Sequence, residues 1–147
     1  MLDDELEFYL KSYDFYKKLN DRKGMAATCN NLGIIYRRKE NFDKAIEYNL
    51  ISLKIKQDLG DRKGEAGSFN NLGRIFFHQK QFKEALKYSL KAYEIEKEIG
   101  DDREMAGSLI NVGETHLALG NLDEAIKNIT EGIEISKELG VKEYLQA

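Results

Sequence analysis

The chain has 147 residues, 41% hydrophobic and 33% charged, with no proline and no tryptophan; that apolar share excludes a disordered tail, and the lack of proline favours helices. A formal net charge of −3 with both signs interspersed excludes a global field for nucleic acid or anionic lipid. No apolar run approaches the roughly 18 residues of a bilayer span, because the runs at 34–36, 75–77 and 117–119 are soon closed by charged or polar residues.

In chain order, the first predicted element is a helix over 2–20. Its acidic start, Asp3, Asp4 and Glu5, is the reverse of the positive start of a secretory signal. At an offset of 40, Leu6, Leu10, Ser12, Leu19 and Asp21 fall on Ile46, Leu50, Ser52, Leu59 and Asp61. The first helix therefore matches only the second half of a unit, and three full units follow at 21–60, 61–100 and 101–140. Residues 141–147 are expected to begin a further first helix.

Each unit divides into two helical stretches, called A and B below. In helix A, Cys29, Leu32, Gly33 and Tyr36 recur as Phe69, Leu72, Gly73 and Phe76, then as Leu109, Val112, Gly113 and His116. That spacing puts them on one face, which predicts core positions. In helix B, Ala45, Ile46, Leu50, Leu53, Ile55 and Leu59 mark the apolar side. Asn20, Gly60, Gly100 and Gly140 are expected to end helices in the left-handed conformation, and Asp21, Asp61 and Asp101 to cap the next ones. Asn41, Gln81 and Asn121 separate the two helices of each unit.

A glycine inside a helix costs about 1 kcal/mol against alanine, so Gly33, Gly73 and Gly113 require a closely approaching neighbour. Small residues recur in helix B to receive one: Ala45, Ala85 and Ala125 at one register, and Ser52, Ala92 and Gly132 at another. A seven-residue coiled-coil seam predicts none of this. The predicted fold is all-α, an α-solenoid of antiparallel helix pairs.

Leu32-Gly33-x-x-Tyr36, followed by Ala45 and the small Ser52, resembles the tetratricopeptide repeat over essentially the whole chain. The period of 40 exceeds the usual figure of about 34, no proline ends helix B, and Cys29, Leu109 and His116 stand where aromatics are expected. Such long repeats are similar to those of Pins-type spindle-orientation adaptors, peptide-sensing Rap regulators and histidine-kinase sensor regions. The resemblance implies a right-handed superhelix whose inner wall is the helix A face opposite the core residues.

That face carries Ala27, Asn30, Asn31, Ile34, Arg37 and Arg38 in the first unit, then Gly67, Asn70, Asn71, Arg74, Phe77 and His78 in the second. The third presents Gly107, Ile110, Asn111, Glu114, Leu117 and Ala118. Asparagine amides both donate and accept, so Asn31, Asn71 and Asn111 suit a ladder along the backbone of an extended peptide. The same position holds peptide termini in some relatives of the resembled family. Arg37, Arg38 and Arg74 suit acidic side chains, and Phe77 an apolar contact. Inherited solvated surface is the alternative for the asparagines; apolar Phe77 and Leu117 on a polar face favour a groove.

Catalytic chemistry has little to work with. Two histidines, one cysteine and no phosphate-cradling loop supply neither a nucleophilic nor a metal constellation, so no enzyme, metal or cofactor is expected. His78 is expected at the groove, His116 and Cys29 in the core. Glu114 interrupts the one candidate basic stripe, which argues against nucleic acid. A lone cysteine suits a reducing, cytoplasmic setting. The expected role is a peptide-binding scaffold, with a regulatory sensor segment of a signalling protein or a structural dimerisation module as alternatives. Apolar residues on the terminal helices, Leu6, Phe8, Leu10 and Phe15 at one end and Ile129 and Ile133 at the other, are expected to be exposed and to favour self-association.

Overall fold

The structure is a computed structural model describing residues 1–146. Seven helices follow in order: α1 (Leu2–Lys18), α2 (Arg22–Arg38), α3 (Phe42–Asp58), α4 (Arg62–His78), α5 (Phe82–Ile99), α6 (Asp102–Ala118) and α7 (Leu122–Gln146). The described residues contain no strand. Helix A is α2, α4 and α6; helix B is α3, α5 and α7, with α1 standing as a helix B ahead of them.

Caps set these boundaries. Asp21 Oδ1 accepts from the Gly24 amide at 3.0 Å, and Asp61 Oδ1 from that of Gly64 at 2.9 Å. Asp101 Oδ1 does the same for Glu104 at 3.3 Å, so each aspartate satisfies an amide that the first turn leaves unpaired. Asn20 and Gly100 take φ of 54° and 72° as expected. Within the units the left-handed residue is the one before the expected break: Glu40 and Lys80 at 58° and Gly120 at 82°. Asn41 then serves as N-cap, accepting from the Lys44 amide at 3.2 Å.

One boundary differs. Gly140 does not end its helix, because α7 runs through it to Gln146, so residues 141–146 continue helix B and do not begin a further helix A. Ala147 lies outside the described residues. Glycine adopts right-handed helical angles as readily as left-handed ones, and Val141 offers no side-chain acceptor where Asp21, Asp61 and Asp101 cap the next helix.

The helices stack as pairs: α2 on α3, α4 on α5 and α6 on α7, with each helix B also packed on the following helix A. Close approach explains the mid-helix glycines. A Cβ at Gly33 would stand 2.2 Å from Asn49 Nδ2, one at Gly73 2.6 Å from Ser89 Oγ, and one at Gly113 2.5 Å from Ile129 Cγ1. The second small register packs on the start of helix A: Ser52 Oγ donates to the Ala26 carbonyl at 3.0 Å, and a Cβ on Gly132 would meet the Ala106 carbonyl at 2.8 Å.

Leu53, Ala66, Phe69, Leu72, Ala92 and Ile95 form a core spanning α3, α4 and α5. The expected helix B stripe is shifted at two places. Leu50 and Leu59 are each 44% exposed, while polar Asn49 and Ser52 are fully buried. Helix B is clasped by a helix A on either side, so its buried arc includes the polar positions facing the glycines, and Leu50 and Leu59 fall outside it. Tyr36 stacks on Tyr48 and Phe76 on Tyr88, at 5.5 and 5.4 Å. The third unit has Asn128 in place of the second ring, and His116 there is only half-buried, its Nδ1 lying 3.3 Å from Asn121 Nδ2. On the terminal helices Phe8 (63%), Phe15 (58%) and Ile133 (42%) are exposed, whereas Leu6, Leu10 and Ile129 are half-buried.

Candidate functional site

The A helices share one face. A single cleft is lined by Asn30 and Ile34 of α2, by Gly67, Asn70, Asn71 and Arg74 of α4, and by Glu104, Gly107, Ser108 and Asn111 of α6. Side-chain bridges show these helices to be direct neighbours: Asn71 Nδ2 donates to Asn30 Oδ1 at 2.8 Å, and Asn70 Nδ2 to Ser108 Oγ at 2.9 Å. A second cleft continues it, lined by Arg74, Phe77 and His78 with Asn111 and Glu114. Asn31 lies on the other flank, with Lys23, Ala27 and Lys56 on one side and Phe8, Tyr9 and Arg38 on the other.

The predicted site residues are not equivalent. Asn31 and Asn111 keep amides without a side-chain hydrogen bond among the described residues, and Asn71 spends one donor on Asn30. Asn70 is held at the joint between units. Its Nδ2 reaches Glu96 Oε1 at 2.8 Å as well as Ser108, and its Oδ1 accepts from Ser108 Oγ at 3.1 Å. Arg38 lies 3.7 Å from a Glu5 carboxylate oxygen.

Arg37 and Arg74 form the cationic centre. Arg37 Nη1 donates to His78 Nε2 at 3.2 Å, and His78 sits one turn after Arg74 on the same face of α4. Half-burial depresses the Arg37 pKa, and the positive charges of Arg74 and Arg38 depress it further. Among the described residues no carboxylate lies within ion-pairing distance of Arg37 or Arg74. Phe77 is half-buried and meets Phe82 edge to face at 5.3 Å, leaving Phe82 of α5 as an aromatic the sequence pattern did not mark.

Sequence reasoning also missed one register of helix B. Lys56, Glu96 and Ser136 occur at the same offset, and the first two reach the joints. Lys56 Nζ donates to Ser68 Oγ at 3.2 Å, and burial lowers its pKa against the pull of Asp61. Glu96 is 2% exposed, and burial raises its pKa despite hydrogen bonds from Ser108 and Asn70. Its Oε2 has no hydrogen-bond partner among the described residues. A polar residue immediately after the buried Ile55 and Ile95 was the available signal. Burial pushes the Cys29 thiol up to about 12, so it is held protonated and unreactive.

The arrangement can present amides, two guanidiniums, an aromatic pair and the carboxylates of Glu104 and Glu114 to a chain lying across α2, α4 and α6. No described helix is long and apolar enough to cross a membrane.

No curated protein matches this sequence. Solved structures do share its fold. BtubC from P. vanneervenii superposes with a TM-score of 0.88 at 21% identity, over 95% of this chain and 58% of that one. The tetratricopeptide repeat domain of Arabidopsis FLU gives 0.75 at 22% identity, over 80% and 98% of the two chains. A signal-transduction ATPase of Pyrococcus horikoshii with a tetratricopeptide repeat sensor gives 0.82 at 25% identity, over 93% of this chain and 21% of its own. This chain thus spans little more than half of BtubC and about a fifth of the ATPase. Family models described as tetratricopeptide repeat match residues 28–63 and 64–138, and repeats of this kind generally mediate protein–protein interaction, typically without catalysis. With three A–B pairs packed through Gly33, Gly73 and Gly113 and those matches across most of its length, the chain belongs to the tetratricopeptide repeat family.

Proposed function

We propose that this chain is a non-catalytic scaffold that holds an extended segment of a partner protein along its A helices. The observation that carries this reading is the cleft lined from three successive units, in which Asn71 and Asn111 present amides, Asn31 stands on its flank, and Arg74 has no counter-ion among the described residues. An extended backbone offers alternating donors and acceptors, which asparagine amides match in either sense. Arg37, Arg38 and Arg74 favour acidic side chains, and Phe77 gives an apolar contact. The single buried thiol suits a cytoplasmic setting.

The test uses peptides selected from a displayed random library. Replacing Asn31, Asn71 and Asn111 together by alanine should weaken the selected peptides at least tenfold, which is about 1.4 kcal/mol, while circular dichroism stays helical. Unchanged affinity would remove the groove reading. A second reading, a sensor segment that changes superhelix pitch on binding, draws on the sensor named for the Pyrococcus ATPase. It predicts a ligand-dependent change in the small-angle scattering radius of the chain, and a radius indifferent to bound peptide would dismiss it. Self-association through Phe8 and Phe15 of α1 and Leu19 just after it, exposed at 63, 58 and 60%, is a separate proposal; sedimentation as a monomer at high concentration would end it.

A further inference from the structure

Along the cleft, one helix A register changes charge from unit to unit: Ile34, then Arg74, then Glu114. The preceding bridges between α2 and α4 and between α4 and α6 make these three positions successive stations on one wall. Successive A helices are close enough for side-chain bridges, which puts them on the order of 10 Å apart, and an extended chain advances about 3.3 Å per residue, so one station corresponds to about three residues of a bound segment. Arg74 is reinforced by Arg37, and neither has a carboxylate partner among the described residues; Glu114 faces Arg74 and Phe77 across the second cleft and is likewise without an ion pair among the described residues. A fixed cationic station followed by a fixed anionic one, both open to solvent and neither neutralised internally, is complementary to the opposite order on a ligand.

We infer that the bound segment is charge-ordered: an acidic residue over Arg37 and Arg74, a basic residue about three positions away over Glu114, and an apolar residue between them against Phe77. This rests on the groove reading and adds to it the chemistry and spacing of the occupant. Like charges face each other when such a segment lies the wrong way round, so the stations also fix its direction along the array.

The experiment selects a displayed random dodecapeptide library against the natural chain and against the double exchange Arg74→Glu/Glu114→Arg. Both side chains are exposed on the helix surface, so the exchange leaves the packed core untouched. The natural chain should enrich one acidic and one basic residue about three apart in a single order. The exchanged chain should enrich the same spacing in the inverse order, and each selected peptide should bind the other chain at least tenfold more weakly. Peptides that lose affinity with the triple asparagine variant but show no charge order, or an order unaffected by the exchange, overturn this inference and leave the groove standing. Failure to enrich any peptide overturns both.

Discussion

The joint between the first and second units and the joint between the second and third use one register with opposite chemistry. At the first, Lys56 donates to Ser68 Oγ and Asn30 remains at the cleft, accepting from Asn71. At the second, Glu96 occupies the position of Lys56 and ties Asn70, still at the cleft wall, to itself and to Ser108. Asn30 and Asn70 are the same residue at the same repeat position and both line the cleft, yet one meets only a neutral amide and the other is held by a buried carboxylate and a hydroxyl. Duplication fixes which register reaches a joint. The charge placed there decides what the neighbouring asparagine does.

The largest expected effect separates the two asparagines. Asn70→Ala removes a hydrogen bond to a buried carboxylate whose other oxygen already lacks a partner, which should cost about 2–3 kcal/mol. Asn30→Ala removes a neutral, half-buried pair and should cost about 1 kcal/mol or less. Urea midpoints at constant m read the difference directly; equal losses would break the contrast.

A smaller effect sharpens the contrast through pH. Glu96 has its pKa raised in the fold, so the folded state holds its proton over a range where the unfolded chain has released it. Its contribution is therefore most favourable at low pH and is lost as pH rises from the ordinary glutamate range through the raised value. Lys56 has its pKa lowered, so the unfolded chain binds the extra proton and stability from this group rises with pH on the alkaline side. Glu96→Gln should remove the fall in melting temperature between the ordinary glutamate range and the raised value, and Lys56→Gln should remove the rise on the alkaline side. Profiles that keep both slopes in both variants would show that neither group is held as described.

The smallest effect calibrates the cleft wall away from both joints. A Cβ at Gly67 or Gly107 would meet nothing within 4 Å, although both lie inside helices. Gly67→Ala and Gly107→Ala should each stabilise by about 0.4–1 kcal/mol through reduced freedom of the unfolded chain, measured as a rise in urea midpoint. A loss of stability would mean that this wall is packed and not open.

Much of this was legible in the residues. Asp21, Asp61 and Asp101 cap because an aspartate before a helical run can reach the third amide, and that is a local matter. Gly33, Gly73 and Gly113 announced close packing because no local reason favours glycine inside a helix. Helical angle alone put Asn71, Asn111 and Arg74 on one face; it also put Asn31 there, whereas Asn31 lies on the other flank of α2. Gly140 misled, since glycine permits both a helix end and a helix interior, and only the missing aspartate after it distinguished the two. Leu50 and Leu59 misled because an apolar stripe does not reveal how wide an arc two flanking helices will cover.

The repeat offset, the helix pairs and the inward face of each helix A could be read from the residues alone, because they depend on periodicity and capping within a few residues. It took the packing of the helices to decide that Asn70 is bonded to a buried carboxylate while Asn30 meets only an amide, that Arg37 is tied to His78, and that Glu96 is buried with one oxygen unpartnered among the described residues. These are contacts between residues 26 to 41 positions apart, made by side chains whose partners are chosen by how closely stacked helices approach, and no local pattern carries that distance.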